Sequence, residues 1–183
     1  MDEIHAPLVD PGHTFTPILA LPDAQNAVVT FSAGKGWNLA AFKGGLYVRG
    51  TDAAAAFDRL PPLANQSTGQ LATIAHTAAL REAQGWVDEV MAEVAANKRL
   101  LASLVAEHLP GVVYRPAPAT YLAWLDCSEL GLPSPRQHFF AHGRVALNAG
   151  SDFGAAYGQF VRLNLAASPE LLTEAVRRMA ASL

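Results

Sequence analysis

The chain has 183 residues, 51% of them hydrophobic and 16% charged, enough for one ordinary domain or parts of two with a sizeable buried core. A formal net charge of −3 is no basic excess, so the composition argues against nucleic acid and membranes as partners, and any anion site must be local. The single cysteine, Cys127, rules out an internal disulfide framework and fits a reducing cytoplasm. No run is long enough for a transmembrane helix, and Met1-Asp2-Glu3-Ile4-His5 reads as a start inside a domain rather than a signal peptide.

Residues 1–27 carry Pro7, Pro11-Gly12, Pro17 and Pro22-Asp23 and read as a strand end followed by a long shaped loop. Ala27–Phe31 is apolar and β-branched, which predicts a buried strand. Ser32-Ala33-Gly34-Lys35-Gly36 breaks it, and Trp37–Phe42 suits a short helix or turn. Leu46–Arg49 predicts a second strand, stopped by Gly50; Thr51-Asp52 offers a cap for a helix over Ala53–Leu60.

Leu71–Ala83 suggests another helix. From Trp86 to Leu109 the stripe Val87, Val90, Met91, Val94, Leu101, Leu104, Val105 predicts a long helix that Pro110-Gly111 ends. Strands are then expected over Val112–Tyr114, Tyr121–Leu125, Val145–Leu147 and Phe160–Leu165. Helices opening at Ser134-Pro135 and at Ser168-Pro169-Glu170 alternate with them, so this part reads as a small α/β domain.

The chemistry centres on Lys35. Flanking glycines allow close backbone approach to a ligand. The Gly-Lys-Gly spacing alone suits a surface lysine, a phosphate binder or a Schiff-base former; it lacks the Walker pattern. Ser32, three residues earlier, and Lys43, eight later, add a hydroxyl and an ammonium around the same turn, a plausible phosphate cradle. Asp2 and His5 offer a carboxylate and an imidazole three residues apart. Arg162 sits in an apolar strand whose alternation could equally point it to solvent. Cys127 reads as a buried structural thiol. His138 and His142 have i, i+4 spacing but no evident third metal ligand, so no metal site is expected.

Five separated segments carry a resemblance: Asp2–Leu8, Ser32–Ala40, Ala119–Asp126, Val145–Gly154 and Phe160–Asn164. Together they resemble the fold-type-I pyridoxal-phosphate (PLP) enzymes of the class I/II aminotransferase superfamily, in the cystathionine β-lyase (C–S lyase) branch. The resemblance covers essentially the whole chain and implies the carboxy-terminal half of such an enzyme. The implied fold class is α/β: the second part of a PLP-binding large domain over residues 1–84, then an interdomain helix and a small carboxy-terminal domain over residues 85–183. An amino-terminal half would supply the remaining phosphate turn, the ring-stacking aromatic and much of the central sheet.

By the same resemblance, Lys35 matches the Schiff-base lysine that also moves the substrate's Cα proton, and Asp2 the carboxylate that pairs with the pyridine nitrogen. His5 stands near the cofactor's ring oxygen, where many relatives have tyrosine. Ser32 and Lys43 match phosphate contacts, and Arg162 the arginine that grips the substrate carboxylate. Relatives commonly carry Ser or Thr just before the lysine; Gly34 departs from this and removes a hydroxyl. The implied function is β-elimination from a sulfur amino acid such as cystathionine, with a homodimer as the working form and little activity in these 183 residues alone. Aminotransferase chemistry uses the same residues and remains an alternative. A non-catalytic interaction or dimerisation module is the alternative from another class.

Overall fold

The computed structural model describes residues 1–183, the side chain of Asn65 excepted. The chain forms two compact units, Met1–Val90 and Met91–Leu183.

In the first unit, the β-branched run forms β1 (Val28–Phe31). It pairs antiparallel with β2 (Leu46–Arg49), with Val28 opposite Arg49 and Phe31 opposite Leu46. On its other edge, Thr30 donates its N–H to the carbonyl of Met1 and accepts from the N–H of Glu3, at 2.9 and 3.0 Å, a parallel bridge that sets Asp2 beside Thr30.

The segment after β1 does more than break the strand. Ser32 is extended, and its Oγ accepts the N–H of Gly34 at 2.8 Å, capping a one-turn helix α1 (Ala33–Gly36) that carries Lys35. Trp37 is buried behind this turn, its indole N–H donating to the carbonyl of Ala83 at 2.9 Å. A 3-10 turn, Ala40–Phe42, follows.

The helix expected over 53–60 is shorter. The hydroxyl of Thr51 donates to the carboxylate of Asp52 rather than to a helix end. A 3-10 turn, Thr51–Ala53, therefore leads into a short α2 (Ala54–Phe57) with no side-chain cap. After α3 (Leu63–Gln66), α4 (Gln70–Glu82) buries Ala72, His76 and Ala79 while Leu71 and Ile74 face outward.

Helix α5 (Gln84–His108) runs through the boundary between the units. Its buried positions include Val87, Met91, Val94, Leu101, Leu104 and Val105, most of the stripe read from the sequence. Gly111 follows it at φ +89°, a left-handed position that glycine takes without strain.

The second unit holds an antiparallel sheet in the order β3 (Val113–Tyr114), β4 (Leu122–Asp126), β6 (Phe160–Asn164), β5 (Asn148–Ala149). The strand expected over Val145–Leu147 lies just beyond, at Asn148–Ala149. Val145 and Leu147 are buried, but the N–H of Val145 donates to the carbonyl of Phe139 at the end of α6 (Pro135–Ala141), so it cannot serve a ladder. The last helix, α7 (Pro169–Ala181), starts where Ser168 Oγ accepts the N–H of Leu171. On its surface Arg177 and Arg178 both bind Glu174 and hold its carboxyl down at about 2.

The strands alternate cleanly. Ala123, Leu125, Cys127, Val161, Leu163 and Leu165 are buried, as are Phe139 on α6 and Leu172, Val176 and Met179 on α7. Full burial of each large side chain contributes about 1.5–3 kcal/mol. The opposite face of the sheet is left to Trp124, Phe160 and Arg162. Among the described residues, no helix is long and apolar enough to cross a membrane.

Gly50 ends β2 with its N–H on the carbonyl of Ala27, and a Cβ there would run into the backbone of Gln25. Gly50→Ala should therefore cost about 1–3 kcal/mol in urea unfolding. A Cβ on Gly85 meets open space, so Gly85→Ala in α5 should be neutral or stabilising by up to about 1 kcal/mol. Equal effects of the two substitutions would contradict this packing.

Candidate active site

One cavity of about 430 Å³ opens at the end of β1, a size typical of cofactor and small-ligand pockets. Asp2, Thr30, Ser32, Lys35 and the Gly44-Gly45 turn are among the residues that line it. Each reaches it for a separate structural reason: Asp2 by the parallel bridge to β1, Ser32 and Lys35 by the capped turn, and Gly44-Gly45 by the chain's return into β2.

Asp2 accepts the N–H of Ile4 on Oδ1 at 2.9 Å, which fixes the carboxylate and leaves Oδ2 for a ligand. The adjacent acid is differently used, since Glu3 Oε1 accepts the N–H of Ile18 at 2.8 Å. Ser32 is buried; with Gly34 donating to its oxygen, its own proton remains to give. Lys35 is exposed at the wall.

Gly34 has a steric explanation. A Cβ there would sit 2.8 Å from Ser32 Oγ and 3.4 Å from the Cα of Ala40. A serine at position 34 would thus displace the hydroxyl that caps α1, so this chain keeps one hydroxyl, that of Ser32, held by the amide of residue 34.

Lys43 and His5 are not among the residues lining the cavity. Lys43 is exposed, and its left-handed φ of +55° directs the chain into the Gly44-Gly45 turn that does line it. His5 is half-buried, and its carbonyl accepts the N–H of Leu8. No motif or spacing singles out His76. It is buried on α4 against Gly44, whose added Cβ would lie 3.0 Å from its Cε1, and its Nε2 has no hydrogen-bond partner among the described residues.

Arg162 belongs to the second unit. On β6 it stands directly opposite Trp124 of β4 and Asn148 of β5. Its guanidinium lies 4.4 Å from the ring centroid of Phe153, and Nη2 donates to Asn148 Oδ1 at 3.2 Å. The alternation that could have sent it to solvent instead lays it on an aromatic surface. Nearby, burial raises the pKa of the Tyr121 hydroxyl, partly offset by the positive charge of Arg162.

Cys127 is fully buried, and burial, aided by the charge of Asp126, pushes its thiol up to about 12. His138 is tied through Nε2 to the carbonyl of Ser182 at 2.7 Å. Among the described residues, no three metal-ligating side chains cluster.

No family model matches the chain. It is 44% identical over 200 residues to a candidate cystathionine beta-lyase of Mycobacterium tuberculosis, a match covering 100% of this chain and 49% of that protein. It is 32% identical over 186 residues to the cystathionine beta-lyase of Corynebacterium glutamicum, covering 100% of this chain and 50% of that one. Its fold matches a crystal structure of a candidate PLP-dependent beta-cystathionase from Corynebacterium diphtheriae, with a TM-score of 0.92, 32% identity, and 99% of this chain and 49% of that one covered. A PLP-bound candidate aminotransferase from Clostridium difficile matches with a TM-score of 0.88 and 25% identity, over 99% of this chain and 48% of that one. The chain thus spans about half the length of the curated relatives it matches, and the match falls on their carboxy-terminal half.

Ser32→Ala should cost about 0.5–2 kcal/mol through loss of the cap on α1, read in urea unfolding. Cys127 should stay silent to a disulfide reagent at pH 8 in the folded chain and react only once denatured. Full modification of the native protein would contradict its burial.

Proposed function

We propose that this chain, homologous to the carboxy-terminal half of cystathionine beta-lyases, is the lysine-bearing part of a PLP-dependent enzyme. The enzyme cleaves the carbon–sulfur bond of an amino acid such as cystathionine by β-elimination, releasing a thiol, pyruvate and ammonia. The observation that carries this reading is the convergence of Asp2, Ser32 and Lys35 on one cavity of about 430 Å³.

The donor set suits the cofactor. A primary amine faces the same space as a fixed carboxylate, a hydroxyl with a proton to give and a glycine turn. PLP, when bound, supplies an electron sink next to the substrate's α carbon. Asp2 would hold a proton on the pyridine nitrogen through Oδ2. Ser32 would donate to a phosphate oxygen, and Lys43 would add positive charge from the edge of the Gly44-Gly45 turn. His5 would serve the ring-oxygen side.

Lys35, in its neutral form, would accept the Cα proton at Nζ. The pair left on Cα would form the Cα=Cβ bond as the Cβ–S bond breaks with its pair on sulfur, and the proton held on Lys35 Nζ would pass to the leaving thiolate. Arg162 would bind the substrate carboxylate through paired N–H donors.

Amino transfer to a 2-oxo acid is the second reading, favoured by the likeness to an aminotransferase fold. The protein works in the cytoplasm, which suits its lone buried thiol. Its partners are a second copy of itself and an amino-terminal half. The exposed apolar Leu46, Tyr47 and Val48 of β2, with Leu71 and Ile74 of α4, are the kind of surface such partners cover.

Incubation with PLP followed by borohydride should fix the cofactor on Lys35, mapped by peptide mass, and Lys35→Ala should abolish the adduct. A folded chain that takes no label, or takes it elsewhere, would count against the reading and favour a non-catalytic module. Pyruvate release from cystathionine should be little or none for the 183 residues alone. With an amino-terminal half supplied, pyruvate should appear; amino exchange with a 2-oxo acid in its place would favour the transferase.

A further inference from the structure

We infer that Phe153 is a positioning residue for Arg162, fixing the plane of its guanidinium so that the terminal edge is presented to a planar anion. This deepens the reading of Arg162 as the carboxylate-binding group and rests on it.

Arg162 is the middle of a row across the outer face of the sheet, with Trp124 opposite on one side and Asn148 on the other. Phe153 lies over this row. It touches the guanidinium face at 4.4 Å and meets the ring of Trp124 edge-on at 5.5 Å and 81°. Trp124 is itself stacked on Phe160 at 5.5 Å and 16°, and Tyr157 packs edge-on against both. Phe153 is therefore backed by Trp124, a ring that Phe160 and Tyr157 in turn hold in place.

The turn that carries Phe153 is shaped for this. A Cβ on Gly150 would run into the carbonyl oxygens of Tyr157 and Phe160. Gly154 closes the turn at φ +144°, which residues with a side chain rarely adopt. Yet Phe153 remains 47% exposed, so it adds little to the core. Its most specific contact is the cation.

The contacts also decide which edge of the guanidinium is available. Nε is buried and has no partner among the described residues, and Nη2 already donates to Asn148. A ligand arriving from solvent cannot reach Nε. It must meet the terminal edge, Nη1 with Nη2, end-on. Bidentate binding needs that edge in one plane, and an arginine held in advance loses less freedom on binding.

The test uses the whole chain, with acetate as the carboxylate probe and NMR of the arginine guanidinium protons as the readout. Phe153→Leu keeps bulk and removes the π face; Phe153→Tyr keeps both. In the unsubstituted chain the Arg162 protons should be displaced by the ring current, and acetate should shift them saturably. Phe153→Leu should abolish the displacement and weaken acetate binding about tenfold, while Phe153→Tyr retains both.

Retained sheet amide signals establish that each variant is folded. Loss of acetate binding equally in Phe153→Tyr and Phe153→Leu, or unchanged binding in Phe153→Leu, would overturn the positioning role. If acetate never shifts Arg162 in the unsubstituted chain, the carboxylate reading fails instead, and the ring-current displacement alone still decides the stack.

Discussion

Two backbone hydrogen bonds at Thr30 hold the candidate cavity together. Through them the amino-terminal segment runs beside β1, with the bridge placing Asp2 level with Thr30. Five residues after Thr30 the chain reaches Lys35. Carboxylate and amine therefore share a cavity because two segments share a register, without any direct contact between the two side chains being needed. Backbone pairing is a sound basis for such a site, since buried amides must be satisfied wherever they lie.

The second dependence is on Ser32. Its oxygen takes the amide of Gly34 and turns the end of a strand into the start of a helical turn. The same contact fixes the hydroxyl at the cavity wall. Gly34 is part of this arrangement, because any side chain there would compete for the space of the Ser32 oxygen. What reads in the sequence as a missing hydroxyl is, in the structure, room for the one that remains.

Much of this was legible in the residues. The β-branched run of β1, the stripe of α5 and the Pro-led starts of α6 and α7 each follow from strong local patterns, and each formed close to its expected place. Asp2, Ser32 and Lys35 were picked out by motif and meet in space. The errors lie where side chains or amides had unexpected local partners. Thr51 and Asp52 pair with each other rather than cap a helix, and Val145 spends its amide on the end of α6. Neither pairing has a periodicity that could announce it. The setting of Arg162 was also hidden. Strand alternation gave its face of the sheet, but Phe153 comes from a turn nine residues earlier and Asn148 opens a strand that the pattern had placed over the three residues before it.

The two clusters differ in how they are supported. The lining of the lysine cavity comes from residues 2–47, and the neighbours described for Arg162 are Trp124, Asn148 and Phe153. Each set of neighbours is placed by local turns and strand register. The buried Nε of Arg162 sharpens the point. An unpaired buried donor costs about 1–3 kcal/mol, and a leucine at position 162 would fill an aromatic-lined sheet face without that cost. Against that cost stand the ring of Phe153 on the guanidinium face and the bond from Nη2 to Asn148, and a guanidinium held in this way suits the carboxylate-binding role proposed for it.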